Sequence, residues 1–161
     1  MASQTWHHHH PAQLPVGYRD QAGVTAQVDT SATLLFLGRV ILGGYFLYNG
    51  LQHFMNHALM SSYAAAAGVP APAMAVGFSG IMLAVGGLSL IAGYYPKIGA
   101  GCLAVFLITV TPVMHGYWND PPGPEYMTNF VNFTKNVALL GGVCFAAAVP
   151  EPWPFSVGRK A

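Results

Sequence analysis

Three groups of polar residues interrupt apolar stretches of this chain, and their types and spacing suit a binding site. Two of the groups have i, i+3, i+4 spacing, which places three side chains on one face of a helix. These groups are Asn49, Gln52 and His53, and Asn132, Lys135 and Asn136. The third is His115, with Thr111 one turn earlier. We expect the groups to converge into one pocket, where His53 and His115 would hydrogen-bond carbonyl oxygens or shuttle protons.

A structural interpretation of the same residues remains open. Interhelical hydrogen bonds between them would fix packing, at about 1 kcal/mol or less per bond. Two cations also stand inside apolar stretches. Arg39 either extends along its own stem to the cytoplasmic head groups or binds a ligand. Lys135 either bonds amide, hydroxyl or carbonyl groups of another helix or binds a ligand, and neither cation has an acidic residue within the spans to pair with.

The composition shows what kind of element must position these residues. The chain has 161 residues, of which 53% are hydrophobic and 7% charged, whereas a typical soluble domain is about 25% charged. Such a surface suits lipid rather than water. The net charge is only +1, and without a basic stripe we expect no nucleic-acid partner.

Four apolar runs are long enough to cross a bilayer, which takes about 20 helical residues. The runs are continuous and show no alternation of period two, so they predict helices rather than barrel strands. Their predicted bounds are 33–54, 73–95, 98–117 and 127–149. The sequence therefore predicts an all-α, four-transmembrane-helix bundle at 31–149, between a polar tail at 1–30 and a Pro-rich tail at 150–161.

The connections and small residues add detail to this bundle. The loop at 56–72 has the composition of a short interfacial helix, and Pro112 is expected to kink the third span. Gly77, Gly80, Ala84 and Gly87 form a small-residue face on the second span that favours close helix packing. Aromatic residues near the span ends fit an interfacial belt, and they are Tyr94, Tyr95, Tyr117, Trp118 and Trp153.

The distribution of basic residues predicts the orientation. Arg19, Lys97, Arg159 and Lys160 all fall on the side of the termini, while the loops at 56–72 and 118–126 contain no Lys or Arg. The positive-inside rule then places both termini in the cytoplasm. The His7–His10 run is either a metal-binding tract or an expression remnant.

Several segments, in this order and spacing, resemble the DoxX family of small bacterial membrane proteins. They lie between residues 33 and 145 and are Gly38-Arg39, Gly50-Leu51-Gln52-His53-Phe54, Tyr63-Ala64-Ala65, Gly68-Val69-Pro70-Ala71-Pro72, Gly86-Gly87-Leu88-Ser89, Gly93-Tyr94, Pro112-Val113-Met114-His115, Trp118, Val131-Asn132-Phe133-Thr134-Lys135-Asn136 and Ala138-Leu139-Leu140-Gly141. Many relatives carry an acidic residue before the Gly-Gly of the second span, where this chain reads Ile81-Met82-Leu83-Ala84-Val85.

The resemblance implies a four-helix protein of the bacterial inner membrane. The family name goes back to a subunit of a terminal quinol oxidase, and some relatives associate with redox proteins. We therefore expect a non-catalytic accessory subunit of a respiratory or photosynthetic electron-transfer complex, partnered by lipid and other membrane subunits. The alternatives are a small quinone or quinol oxidoreductase that uses the polar pocket, and a structural subunit that binds a pigment or a lipid.

Overall fold

The computed structural model describes residues 18–157, with side chains from residue 30 onward. This part of the chain is helical throughout and contains no strand. Its helices are α1 (Tyr18–Met55), α2 (His57–Ala66), α3 (Pro72–Ala92), α4 (Pro96–Met114) and α5 (Pro124–Ala148), with a 3-10 turn at Tyr117–Asn119. The His7–His10 run lies outside the described residues.

Within the described residues, four segments are long and apolar enough to cross a membrane: Thr30–Met55, Pro72–Ala92, Pro96–Asn119 and Pro124–Ala148. The predicted all-α architecture with four spans is therefore confirmed. The loop at 56–72 does contain a short helix, α2. Helix α1 begins at Tyr18, within the segment predicted as the N-terminal tail.

Proline and glycine set the ends of the helices. Each of α3, α4 and α5 has a proline in its first turn, where the missing N–H is not needed. Gly93 ends α3 in the left-handed conformation, with φ 65°. The Ser89 hydroxyl then closes the turn into α4, because it lies 2.7 Å from the carbonyl oxygen of Tyr94 and 3.0 Å from that of Tyr95. Helix α3 is therefore shorter than predicted. Helix α4 ends at Met114, just after Pro112.

The chain divides into two units, with the boundary after Leu34. The first unit contains the beginning of α1. The second, from Leu35 onward, contains the hydrophobic core. This core is built from every long helix of the unit and from the C-terminal segment, and its most buried members are Phe46, Leu83, Leu90, Leu103, Val143 and Trp153.

Helices α1 and α3 pack backbone against backbone through glycines. A Cβ atom added to Gly43 would lie 2.6 Å from the carbonyl oxygen of Gly87, and one added to Gly87 would lie 2.6 Å from the carbonyl oxygen of Gly43. A Cβ atom on Gly50 would lie 2.6 Å from the nitrogen of Ala84. The small-residue face predicted on the second span is thus used at Gly80, Ala84 and Gly87, whereas the Cβ position of Gly77 has only an ordinary 3.9 Å contact with His57.

The two ends of this bundle differ in what they hold. One end, called here the α2 end, comprises residues 49–79 and 109–136. The opposite end, called the turn end, comprises residues 89–99 and 146–157. Because the spans alternate in direction, the three polar groups of the sequence all lie at the α2 end. Arg39 lies on the half of α1 that is nearer the turn end.

Candidate functional site

A cavity of about 810 Å³ opens at the α2 end. All five helices contribute to its wall. Most of the lining is apolar or aromatic and includes Phe46, Met60, Tyr63, Phe78, Phe106 and Leu139. Phe78 is 65% exposed and Val105 is 55% exposed. Both belong to membrane-spanning helices.

Five of the eight predicted site residues line this cavity: Asn49, His53, His115, Lys135 and Asn136. They come from α1, from the end of α4 and from α5. One cavity wall thus contains members of all three polar groups. Their role as a binding site stays a prediction.

Gln52 and Asn132 are not among the lining residues. The amide of Asn56 donates a hydrogen bond of 2.5 Å to Oε1 of Gln52. Oδ1 of Asn132 accepts a bond of 2.9 Å from the Lys135 ammonium. Asn132 thus supports Lys135 from within α5, and Gln52, in the last turn of α1, accepts from Asn56 at the junction with α2.

Two cavity residues of α1 hydrogen-bond within their own helix. Nδ2 of Asn49 donates to the carbonyl oxygen of Tyr45 at 2.8 Å, and Nδ1 of His53 lies 2.8 Å from the carbonyl oxygen of Asn49. The bond of Lys135 to Asn132 is likewise internal to α5. These bonds orient the side chains without joining helices, so the interhelical network of the structural interpretation is not what they form.

Asn136 is the most buried polar residue of the cavity, with 8% of its surface exposed. Within residues 30–157 its side-chain amide makes no hydrogen bond, yet it is not among the fully buried polar atoms that lack a partner. The amide is therefore accessible from the cavity, and its donors and acceptor are available to a molecule there.

A hydrogen-bonded chain that the sequence did not predict connects the cavity to the loop before α5. Nδ1 of His115 lies 3.4 Å from Oδ1 of Asn129, and Nδ2 of Asn129 donates to Oδ2 of Asp120 at 2.8 Å. Asn129 lies three residues before Asn132, so helical spacing along α5 could have added it to the predicted polar face. Asp120 lies in the loop 120–123, where helix periodicity does not apply.

Arg39 is not part of this site, which corrects its assignment to the polar pocket. Only 2% of its surface is exposed. Its guanidinium donates to the carbonyl oxygen of Pro154 at 2.8 Å and to that of Phe155 at 2.6 Å. Its Cζ atom lies 5.1 Å from the ring centroid of Phe36. Because its partners belong to the turn end, Arg39 holds the C-terminal segment instead of reaching the head groups.

Trp153 also belongs to this segment and is only 3% exposed. Its Nε1 donates to the carbonyl oxygen of Val149 at 3.3 Å. It is therefore a core residue and not a member of an interfacial aromatic belt. Tyr94, Tyr95 and Trp118 are about half exposed, as the belt interpretation requires.

Comparison with known proteins identifies the family. Residues 34–116, about half of the chain, match DoxX. The chain belongs to the DoxX family. It is similar to the inner membrane protein YphA of Escherichia coli (strain K12), with 24% identity over 127 residues that cover 79% of this chain and 89% of that protein. No solved structure matches the chain.

With four spans and this family, the chain is a multi-pass inner-membrane protein. The DoxX match covers α2, α3 and α4 and ends just after His115. Helix α5 lies beyond it. Lys135 and Asn136, which supply part of the polar wall, are thus outside the residues that match the family model.

Proposed function

We propose that this DoxX-family protein binds a lipophilic molecule with a small polar ring, of the quinone and quinol class, in the cavity at the α2 end. The observation that carries the proposal is Asn136. It lies in the cavity wall with 8% of its surface exposed, and its side-chain amide makes no hydrogen bond within residues 30–157. The amide is accessible from the cavity, since it is not among the fully buried polar atoms that lack a partner. A ligand oxygen at this position would accept a hydrogen bond from it.

The size and lining of the cavity support this class of ligand. Small-molecule sites are commonly about 300–1,000 Å³, mostly apolar, with a few polar groups that fix orientation. A cavity of about 810 Å³ lies within that range. Aromatic and aliphatic side chains from all five helices suit a substituted ring and the start of an isoprenoid tail. The exposure of Phe78 and Val105 supports entry from the lipid.

The polar groups match a ring that bears oxygen atoms. The Lys135 ammonium, which lines the cavity, donates strong, charge-assisted hydrogen bonds. One of them, of 2.9 Å, goes to Oδ1 of Asn132 on the same helix. Asn136 follows Lys135 in the chain. These two α5 residues supply donors to one ring oxygen, while His53 and His115 come from the opposite helices α1 and α4.

In the cell, we propose that the protein acts as an accessory subunit that holds the quinol-class molecule for a redox partner in the membrane. The lining supports this role because its polar groups bind and orient a headgroup. A second role, as an oxidoreductase in its own right, is favoured by one observation. The imidazole of His115, held through Asn129 by Asp120, offers a base that can take up a ring proton.

Equilibrium binding of 2-decyl-1,4-benzoquinone to the purified full-length protein in lipid nanodiscs tests the binding proposal. Asn136→Leu keeps the side-chain volume and removes the amide. We expect it to weaken binding about tenfold, the equivalent of about 1.4 kcal/mol for the lost hydrogen bonds. Gln52→Leu is the matched control, because Gln52 lies at the same end outside the lining. Equal affinities of the two variants, or no binding by the unmodified protein, would contradict the proposal.

Turnover separates the two roles. The purified protein is supplied with 2-decylhydroquinone and a soluble electron acceptor. The accessory role predicts no oxidation above the rate of empty nanodiscs. Oxidation that is abolished by His115→Ala and Lys135→Ala would instead establish the oxidoreductase role. Co-purification of a chromophore bound in the cavity would contradict the quinol class of ligand and establish a pigment instead.

A further inference from the structure

The hydrogen-bonded chain behind His115 has a fixed direction. An ionised carboxylate such as that of Asp120 can only accept hydrogen bonds. Asn129 must therefore present its NH₂ group to Asp120, at 2.8 Å. This orientation turns its carbonyl oxygen towards Nδ1 of His115, 3.4 Å away. Since that oxygen is an acceptor, Nδ1 must carry the proton.

A neutral imidazole carries one N–H, and its other nitrogen is an acceptor. For His115 this assignment leaves Nε2 as an acceptor. His53 reaches the same state by a different route. Its Nδ1 lies 2.8 Å from the backbone carbonyl oxygen of Asn49, which also can only accept. Two helices thus hold two cavity histidines in the same tautomer, each with a lone pair on Nε2.

We propose that Asp120 and Asn129 are positioning residues that fix the tautomer of His115, and that the cavity consequently prefers a ring with hydroxyl groups to the same ring with carbonyl groups. The proposal rests on the proposed function and names the redox form of its ligand. A hydroquinone can donate to the two imidazole Nε2 atoms, whereas a quinone has only acceptors and gains nothing from them.

The α5 side of the cavity does not make this distinction. The Lys135 ammonium donates to either a hydroxyl or a carbonyl oxygen, and the Asn136 amide carries both donors and an acceptor. Lys135 and Asn136 therefore bind both forms. The preference comes from His53 and His115, and the loop carboxylate of Asp120 controls one of the two.

The first test reads the tautomer directly. Nitrogen-15 NMR of histidine-labelled full-length protein distinguishes an Nδ1–H imidazole from an Nε2–H imidazole. We expect His115 as Nδ1–H in the unmodified protein and in Glu125→Gln, which removes another carboxylate near the start of α5. Asp120→Asn makes the partner of Asn129 able to donate, so we expect a mixture of tautomers. An Nε2–H ring in the unmodified protein, or no change in Asp120→Asn, would overturn the proposal.

The second test compares three probes of equal chain length: 2-decylhydroquinone, its dimethyl ether and 2-decyl-1,4-benzoquinone. We expect the hydroquinone to bind at least about fivefold more tightly than the other two, as for one additional hydrogen bond. In Asp120→Asn this ratio should fall towards the residual preference set by His53, while Glu125→Gln retains it.

The outcomes separate this inference from the proposed function. Tighter or equal binding of the benzoquinone would overturn the preference for hydroxyl groups and leave the binding function intact. Failure of all three probes to bind would overturn both. A change in the hydroquinone ratio without a change in the His115 tautomer would assign the effect to the fold of the loop and reject the positioning role.

Discussion

At the scale of single residues, the two cations of the spans have different roles. Arg39 is buried and donates to two backbone carbonyl oxygens of the C-terminal segment. Lys135 is exposed in the cavity and bonds one neighbour on its own helix. The planar guanidinium suits two acceptors in fixed positions, whereas an ammonium is a compact charge that adapts to a ligand. The residue types therefore fit the two environments.

Replacing Arg39 should destabilise the protein without affecting the cavity. Arg39→Leu leaves the carbonyl oxygens of Pro154 and Phe155 without their donor. Each hydrogen bond to a charged group contributes roughly 1.5–3 kcal/mol, so we expect a clearly lower thermal midpoint in mild detergent and unchanged binding of 2-decyl-1,4-benzoquinone. Lys97→Leu, at an exposed cation, is the control. Equal midpoints for the two variants would show that the Arg39 contacts do not stabilise the fold.

The candidate site was predictable from the sequence only where its residues lie on regular helices. The i, i+3, i+4 spacing identified His53 and Lys135, because that spacing specifies a helix face. It could not specify that Asn132 and Gln52 lie beside the cavity. Asp120 escaped prediction because its approach to Asn129 depends on the path of a loop. Arg39 was misassigned because its partners are backbone carbonyl oxygens more than a hundred residues away, and backbone acceptors leave no sequence signal.

At the scale of the helices, apolar length was sufficient to predict the four spans, since a helix satisfies its own backbone within one segment. The ends were less predictable. Gly93 ends α3 before Tyr94, and α4 gives way to a 3-10 turn after His115. The contact of α1 with α3 depends on glycines whose carbonyl oxygens approach the opposite backbone, as the close-packing interpretation of the small-residue face anticipated.

A single methyl group should test the α1–α3 contact. In Gly87→Ala the new Cβ would lie 2.6 Å from the carbonyl oxygen of Gly43 and 2.7 Å from the nitrogen of Leu47. Because both are backbone atoms, the helices must separate, and we expect a loss of about 1–3 kcal/mol in the free energy of unfolding. A Cβ atom added at Gly101 would have no neighbour within 4 Å, so Gly101→Ala should leave the free energy of unfolding unchanged. Reversible unfolding in detergent measures both, and equal stability would contradict this account of the contact.

At the scale of the whole molecule, the asymmetry of the two ends defines an orientation that we propose from charge. Lys97 lies at the turn end, and the loops of the α2 end contain no Lys or Arg. The positive-inside rule places the turn end in the cytoplasm and the mouth of the cavity in the outer half of the membrane.

Cysteine labelling in intact cells tests this orientation. In a background with Cys102→Ala and Cys144→Ala, a membrane-impermeant maleimide should label Glu125→Cys from outside the inner membrane. It should label Lys97→Cys only after the membrane is permeabilised, because the two exposed positions lie at opposite ends of the bundle. The reverse pattern would place the cavity in the cytoplasmic half.

The central claim, that the cavity holds a quinone-class lipophile, is tested most directly by photoaffinity labelling. A photoreactive benzoquinone with a short alkyl chain is irradiated with the full-length protein in nanodiscs, and the modified residues are mapped by mass spectrometry. The account predicts labels on cavity residues such as Met60, Tyr63 and Met82, with competition by unmodified 2-decyl-1,4-benzoquinone and a weaker label in Asn136→Leu. Labels confined to lipid-facing positions such as Phe145, insensitive to both, would contradict it.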